Sequence, residues 1–292
     1  MITQFGANAI VAGCYYAVIA VGFVIVFRAR LAFDFGYAAC YLVAPYFALF
    51  ACRVVGLPFI LGAFAGIGGS LAFAATSELL LYRQMRYRGA SSLTVMLVSF
   101  GVLILSQNVI SIAFGNEAMT LRTWSAREGY NVFGARITSA QLLTVVCAAG
   151  LLVFTHWFLR FTAAGKKLRA VANNLELAHT AGIAVDSVIL QACLLGAALA
   201  ATAAVLVGLD TDLTPGMGLP ALLVGVVVCI VGGVDRMGGT VLAAFLLACI
   251  QQLGIWAMGT QWQDAIAFLV LLIFLFFRPQ GFWGRKVKKA MV

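Results

Sequence analysis

Long runs of apolar residues recur along the whole chain, and they restrict its fold more than any other feature. The runs lie at about 5–27, 36–51, 54–81, 92–114, 138–158, 187–208, 219–234, 240–258 and 263–277. A helix needs about 20 apolar residues to cross the hydrocarbon core of a bilayer. Of the 292 residues, 63% are hydrophobic and only 10% are charged. We therefore predict an all-α polytopic membrane protein with eight or nine transmembrane helices, forming a single domain over 1–292.

The basic residues lie at the ends of the apolar runs, where they indicate how the chain is oriented. Nine crossings with the N-terminus outside place 15 of the 19 Lys and Arg residues on the inner side. Short loops rich in Lys and Arg face the cytoplasm. This pattern predicts an outer N-terminus, an inner C-terminus and a basic cytoplasmic tail at 278–292. The net charge of +9 then reflects topology and not nucleic-acid binding. The outer side holds only Arg53, Arg122, Arg127 and Arg136.

The cysteines and the N-terminus carry no sign of secretion or metal binding. No CxxC pair occurs among the seven cysteines. Six are predicted to be small buried hydrophobes because they lie inside apolar runs. The first run lacks a preceding Lys or Arg and a clear small-residue cleavage site, which predicts an uncleaved first span. The six cysteines are Cys14, Cys40, Cys147, Cys193, Cys229 and Cys249.

Two of the runs are short and are interrupted by turn-forming residues. The stretch RARLAFDFGYAACYLVAPYF has Asp34 and Gly36 at its start and Pro45 within it. The stretch GLDTDLTPGMGLPALLVGVVV has aspartates, prolines and glycines before its apolar part. Each stretch follows a long span, at 5–27 or 187–208, and these spans enter the membrane from opposite sides. Discontinuous helices so placed are typical of an inverted repeat, which we predict here.

These two broken segments are the candidate substrate path. Unwound backbone at membrane depth survives only where it is buried in protein or lines a watery cavity. The glycines permit unusual backbone angles, and the prolines remove donors that would extend a helix. Alternatively, Asp34 marks the cytoplasmic end of a short span and 210–220 is an ordinary exposed turn. The predicted path residues are Asp34, Phe35, Gly36, Tyr37, Thr214, Pro215, Gly216, Met217 and Gly218.

One polar stretch, AGKKLRAVANNLELAHTAGI at 164–183, predicts an amphipathic helix at 166–179 that lies outside the membrane. Its apolar stripe of Leu168, Val171, Leu175 and Ala178 recurs at helical spacing. The helix belongs to a cytoplasmic loop at about 160–186. Such a segment either docks in a groove of a partner protein or lies on anionic lipid.

Several kinds of chemistry are missing from the sequence. There is no GxxxxGK[ST] loop for nucleotide phosphates and no HExxH zinc motif, and the only histidines are His156 and His179. Asp210 and Asp212 are interpreted as part of a turn and not as a metal site. Ion-driven carriers place ionisable residues deep within their spans. Here Glu78 and Asp264 lie near span ends, where we expect them to reach solvent.

Two further features concern packing and the outer face. Gly62 and Gly66 are spaced for close helix–helix contact. The longest outer loop, at 115–137, is polar and charged. It is either a lid or docking surface, or a solvated connection.

The polar stretch at 164–183 resembles the cytoplasmic loop of the branched-chain amino acid permeases of bacterial ATP-binding cassette importers. The resemblance continues through TPGMG and VGGVDRMGGTVLAAFLLA to the ending RPQGF, and covers nearly the whole chain. The chain departs from the family where such permeases have Asn-Phe-Ala-His-Gly-Glu, because it has AFDFGY at 32–37. It also has Pro220 where a lysine is usual, and it lacks the serine of Gly-Gly-x-Gly-Ser near Arg236.

The resemblance implies a permease subunit of the bacterial inner membrane that is not itself an enzyme. It implies a second, related permease chain (a heterodimer), two cytoplasmic ATPase subunits and a periplasmic substrate-binding protein. ATP and magnesium would be held by the ATPases, with no cofactor or metal in this chain. Branched-chain or related hydrophobic amino acids are the expected substrates, with urea, amides and organic acids carried by relatives. A self-sufficient secondary transporter or channel is the alternative, and a membrane-embedded enzyme has no support. The ATPase-coupling residues implied are Lys166, Lys167, Leu168, Arg169, Val171, Leu175, Glu176, Ala178 and Gly182.

Overall fold

The computed structural model describes residues 2–122, 129–132, 135–234, 237–278 and 281. Within these ranges the chain is almost entirely helical, with one antiparallel pair of short strands, β1 (Gly129–Val132) and β2 (Ala135–Thr138). A π-helical turn, Glu78–Tyr82, joins α3 to α4, and a 3-10 turn, Thr260–Trp262, precedes α12. The helices are α1 Ile2–Arg30, α2 Gly36–Arg53, α3 Phe59–Ser77, α4 Arg83–Tyr87, α5 Ser92–Phe114, α6 Ser139–Phe161, α7 Ala163–Asn173, α8 Leu175–Thr180, α9 Val185–Asp210, α10 Gly218–Gly232, α11 Met237–Met258 and α12 Gln263–Phe277.

Each of the nine predicted apolar runs coincides with one helix. Seven helices among the described residues are long and apolar enough to cross a bilayer, and α10 is a shorter apolar helix. The first of the two broken runs forms α2, which has 18 residues, and the second forms α10, which has 15. The all-helical membrane architecture predicted from the sequence is therefore confirmed, while the number of crossings stays a prediction.

Local sequence signals set several helix ends. Pro58 stands directly before α3 in an extended conformation. At α6, Thr138 and Gln141 form a capping box in which each side chain accepts the other's backbone N–H. Gly115 ends α5 at a φ of 87°, which a glycine adopts without steric cost.

The central helices are α1 and α9, whose spans are largely buried within the chain. They pack on each other where Gly22 meets Gly196, and a Cβ on Gly196 would lie 3.1 Å from the Gly22 carbonyl oxygen. By contrast, at most 28% of the span is buried in α3, α5, α6, α11 and α12, and the rest is half-buried or exposed. Such faces suit lipid or a neighbouring membrane subunit, since neither offers water to an apolar side chain.

Each broken segment belongs to a pair of helices, α1 with α2 and α9 with α10. The second helix of each pair packs on the first helix of the other pair. The second helix of the first pair, α2, packs on α9, and the second helix of the other pair, α10, packs on α1. This equivalent packing is what an inverted repeat of the two pairs would produce. The inverted repeat itself remains a prediction.

Residues predicted on one side of the membrane contact each other in the structure. At the inner end Arg28 donates a hydrogen bond to Asn173, and Arg30 pairs with Glu78. At the outer end Arg53 donates to the Thr120 carbonyl oxygen. The grouping of the helix ends thus agrees with the charge pattern, and the orientation in the membrane remains a prediction. Of the tail predicted at 278–292, only Arg278 and Gly281 are described.

The cysteines follow the prediction only in part. All seven are free thiols. Cys14, Cys40, Cys193 and Cys229 are buried as expected. Cys147 is half-buried and Cys249 is exposed, because α6 and α11 lie at the edge of the bundle and turn apolar residues outward.

The close approach of α3 to α2 confirms the predicted role of the spaced glycines and can be tested. A Cβ on Gly66 would lie 2.4 Å from the Ala44 carbonyl oxygen, whereas one on Gly68 meets nothing within 4 Å. We expect Gly66→Ala to lower the unfolding temperature of the purified protein because the helices must separate. Gly68→Ala should leave it unchanged or raise it, since alanine favours a helix by about 1 kcal/mol over glycine. Equal unfolding temperatures for the two variants would contradict the packing.

Candidate translocation and coupling sites

The first broken segment is anchored by buried ion pairs at the end of α1. The helix stops at Arg30, and Leu31 takes a φ of 54°, which is unusual for a residue other than glycine. The Asp34 carboxylate pairs with Arg30, accepts the backbone N–H of Gly36 at 2.8 Å, and accepts the Tyr82 hydroxyl at 3.2 Å. These contacts direct the chain from α1 into α2. Asp34 is only 3% exposed, so its carboxylate belongs to the interior.

The same ion pairs extend to a second carboxylate, Glu78, in the π-helical turn. Arg30 lies between the two acids, and its side chain is only 5% exposed. Its guanidinium also stacks 4.0 Å from the ring centroid of Tyr82. Glu78 is 1% exposed. A charge that is buried this deeply is tolerated only when it is paired, because desolvation costs several kcal/mol per ion.

A further pair connects this centre to the start of α9. Arg86 lies 2.7 Å from Glu78 and 3.0 Å from Asp186. The Tyr87 hydroxyl donates to Asp186 at 2.7 Å, and the thiol of Cys193 lies 3.6 Å from Glu78. The network therefore joins the inner ends of α1, α4 and α9 with the start of α2. We call Arg30, Asp34, Glu78, Tyr82, Arg86 and Asp186 the inner charge network.

This network corrects the prediction for Glu78, which was expected to reach solvent at a span end. The helix that begins at Phe59 continues through the π turn to Tyr87, so the carboxylate stays within the bundle. The spacing of Arg30 and Asp34 by four residues was a visible sign of an ion pair. The partner 48 residues away in sequence could not be read from the chain. Asp264 is exposed, as expected.

The remaining residues of the first segment are also closely packed. The backbone N–H of Phe35 donates to Ser99 at 3.0 Å, and the Tyr37 hydroxyl donates to the Ile19 carbonyl oxygen at 2.8 Å. Gly36 is required for this approach, because a Cβ there would lie 2.4 Å from the Tyr82 hydroxyl. In this conformation Tyr37 is 3% exposed, so its ring belongs to the packed interior.

The second broken segment, 211–217, reaches the first turn of α2. Gly218 is buried, and a Cβ on it would lie 2.8 Å from the Ala38 carbonyl oxygen. Phe35, Tyr37 and Met217 pack in one apolar cluster. Two parts of the predicted path therefore meet, while Asp34 points into the inner charge network. Pro215 is buried and Thr214 is exposed.

The two glycines of this segment do not have the role expected from the sequence. Among the described residues, neither Gly216 nor Gly218 has a positive φ. Gly218 instead permits close contact between α10 and α2. Gly216 is exposed, and a Cβ there would meet only the Gln107 amide nitrogen at 3.7 Å.

The outer loop that follows α5 covers the second broken segment. Met119 and Leu213 exchange two backbone hydrogen bonds, at 3.0 and 2.7 Å. Arg122 donates to the Asp210 carbonyl oxygen at 3.2 Å, and Leu121 and Leu213 are buried. The loop is therefore packed on the bundle at Met119 and Leu121, whereas residues 115–118 are exposed. Both interpretations of the loop stay predictions. Arg127 and Glu128 lie outside the described residues.

The predicted coupling helix is two helices, which corrects the single helix expected at 166–179. The chain breaks at Asn174, whose side chain accepts the Leu177 N–H and caps α8. Asparagine is favoured at such caps and disfavoured inside a helix. Gly182 follows with a φ of 77° and leads into α9.

The apolar stripe of this segment faces the chain's own core. Leu168, Val171 and Ala178 are at most 5% exposed and pack in the main apolar cluster. They are therefore unavailable to a partner, contrary to the expectation that a groove of another protein buries them. Leu175 is half-buried. The exposed surface carries Lys166, Lys167, Arg169, Glu176 and Leu177.

No metal centre is present among the described residues, because no three His, Cys, Asp or Glu side chains come together there. Asp210 accepts a hydrogen bond from the Gln141 amide at 3.4 Å, whereas Asp212 is exposed. Asp210 is the last residue of α9, and Asp212 lies in the segment that follows it.

The inner charge network predicts a large difference between two arginines. Arg30→Met should destabilise the protein by about 3–5 kcal/mol, because it leaves the buried Asp34 carboxylate without its cation and leaves Glu78 with Arg86 alone. Arg83→Met is the matched control, since Arg83 is 44% exposed and lies 3.7 Å from Asp186. Its loss should cost less than about 1 kcal/mol. Thermal unfolding in detergent measures both, and a similar small change for Arg30→Met would contradict the network.

Comparison with known proteins supplies the family. The model of the family described as branched-chain amino acid transport system / permease component matches residues 6–275. The permease protein BraD of a high-affinity branched-chain amino acid transport system from Pseudomonas aeruginosa is 28% identical, over 95% of this chain and 94% of its own length. The corresponding permease LivH of Escherichia coli is 27% identical over the same shares.

A solved structure has the same fold at lower sequence identity. It is PsaBC from Streptococcus pneumoniae in complex with Fab, with a TM-score of 0.54 and 15% identity. The alignment covers 95% of this chain and 92% of that chain. The family match spans both broken segments and the coupling segment, so the chain belongs to the branched-chain amino acid transport system permease family.

Proposed function

We propose that this chain is the membrane-spanning permease subunit of a binding-protein-dependent ATP-binding cassette importer. Its substrates would be branched-chain or related hydrophobic amino acids. The observation that carries the proposal is the family match over residues 6–275, together with relatives of nearly equal length that are permeases for those amino acids. The helical bundle with two interrupted segments supports it.

The substrate would pass where the two broken segments meet. Phe35, Tyr37 and Met217 all pack in the main apolar core, so both segments offer apolar surface to an aliphatic side chain. Thr214 and Gly216 are exposed beside it, so this side of the junction is open. In the conformation described, Tyr37 is packed, and opening the path would require α2 to move relative to α1 and α10. Asp34 contributes by anchoring α2 through the inner charge network.

Energy for transport would come from two ATPase subunits that hold ATP and magnesium on the cytoplasmic side. A second permease chain and a periplasmic binding protein complete the proposed importer. The exposed face of α7 and α8 would contact the ATPases, with Leu177, which is 66% exposed, as the apolar contact and Lys166 and Lys167 around it. Because the inner side of this segment packs on the core of the bundle, movement of α7 and α8 would be passed directly to α1 and α9.

An ion-driven carrier is the competing function, and the inner charge network bears on it. The sequence disfavoured such a carrier because no buried ionisable residue was predicted within the spans. The buried Glu78 removes this reason. However, each buried carboxylate of the network already has an arginine beside it as its counter-ion. The family match therefore decides between the two functions.

Coupling can be separated from folding by two leucines of the same segment. Leu177→Asp should leave the unfolding temperature unchanged, because the side chain is exposed, but abolish uptake and the ATP hydrolysis that substrate-loaded binding protein stimulates. Leu177→Met should retain both activities. Leu168→Asp should instead lower the unfolding temperature, because it places a charge in the core. Uptake at the normal rate by Leu177→Asp would refute this contact.

The substrate path can be tested at a glycine where a larger side chain has room. Gly216→Val should reduce amino acid uptake several-fold while the subunits still assemble, because the added methyl groups project beside Met217. Gly101→Val is the control, since that glycine is also exposed and a Cβ on it would meet nothing within 4 Å. Uptake is measured in vesicles with a radiolabelled branched-chain amino acid. An equal effect of both substitutions would place the path elsewhere.

A further inference from the structure

A basic cavity lies at the inner end of the bundle, away from both broken segments. It has a volume of about 300 Å³ and opens between α1, α6, α7 and the start of α11. Three guanidinium groups line it, from Arg28, Arg160 and Arg169, together with His156. None of the described lining residues is acidic.

Two of these arginines lack a carboxylate partner in the part of the chain that the structure describes. Among the described residues, no carboxylate lies within 4.0 Å of Arg160 or Arg169. Arg169 donates a hydrogen bond to the Arg160 carbonyl oxygen at 3.3 Å, and Arg28 donates to the side-chain oxygen of Asn173 at 3.4 Å. The acceptor of Arg169 is a neutral carbonyl oxygen, so it positions that guanidinium group without cancelling its charge. The cavity therefore attracts an anion.

The cavity also has an apolar wall, which extends along α1 from its inner end toward the middle of the helix. Val24, Ile25, Leu159 and Leu168 form this wall. Val24 precedes the last residue of α1, Arg30, by six positions, which corresponds to about 9 Å at 1.5 Å per residue. A ligand that fills the cavity thus has an anionic end at the level of the arginines and an apolar part farther into the membrane.

We propose that this cavity binds the phosphate of an anionic phospholipid of the inner leaflet, with the start of an acyl chain against the apolar wall. Basic pockets between transmembrane helices on the cytoplasmic side favour such headgroups, and guanidinium groups bind phosphate through paired hydrogen bonds. An acidic segment of a cytoplasmic protein would satisfy the charges but not the apolar wall. The proposal rests on the predicted topology and not on the transported substrate.

The site can be tested with phosphatidylglycerol and phosphatidylcholine on the full chain, purified with any subunits that accompany it. Native mass spectrometry and lipid titration should show preferential retention of phosphatidylglycerol. The double variant Arg160→Gln/Arg169→Gln should weaken that binding about 30-fold, from about 1 kcal/mol for each basic residue. The control Arg83→Gln/Arg88→Gln removes the same charge from exposed positions of the same end and should bind as the unmodified chain does. Arg160→Lys/Arg169→Lys should restore most of the binding, which shows that the glutamine variant failed through charge and not through folding.

Three results would overturn the proposal. The first is equal retention of the two lipids, or an equal loss in the control variant. The second is competition by soluble glycerol phosphate or inorganic phosphate as effective as that of the lipid, which would assign the cavity to a free phosphate compound. The third is loss of an accompanying ATPase subunit from the glutamine variant with lipid binding unchanged, which would assign it to a protein contact.

Discussion

Hydrocarbon offers no hydrogen-bond partner to a peptide group, and most of this structure follows from that constraint. A chain with 63% hydrophobic residues satisfies its backbone within helices, and the nine apolar runs become nine helices. The same constraint explains where the helices are interrupted. Both broken segments are packed against other helices, the first against Ser99 and Tyr82 and the second against Met119 and Ala38.

Charge inside the bundle obeys a related rule, because an ion that leaves water must find its counter-ion within the protein. The inner charge network meets this requirement with residues from three separate stretches of the chain. It also holds the turn after α1, where Leu31 adopts its unusual φ, and fixes the start of α2. One element of the proposed path is thereby tied to the start of α9, which directly follows α8 and the coupling segment. A displacement of α7 and α8 has a short structural route to the place where the broken segments meet.

The coupling segment shows how one pattern supports different interpretations. An apolar stripe beside a basic face predicts a helix that needs a partner, and the pattern does not identify that partner. Here the partner is the chain itself, since Leu168, Val171 and Ala178 complete its core. The basic residues of this segment then lie on two different surfaces. Lys166, Lys167 and Leu177 point away from the bundle, whereas Arg169 turns toward the cavity that it shares with Arg28 and Arg160.

The sequence by itself determined the helices, the two interruptions, the grouping of the helix ends and the resemblance to the permease family. These properties depend on residues close together in the chain, such as Asp34 and Gly36 after a span or Thr138 and Gln141 before one. Only the tertiary structure decided which groups meet across long separations. Glu78 was predicted to reach solvent at a span end, because its partner Arg30 lies far away in the sequence. Gly218 was read as a turn glycine, although its function is contact with Ala38 on another helix. Hydropathy and helical spacing measure how one segment meets its solvent, whereas ion pairs and close backbone contacts depend on a second segment whose position the local sequence does not encode.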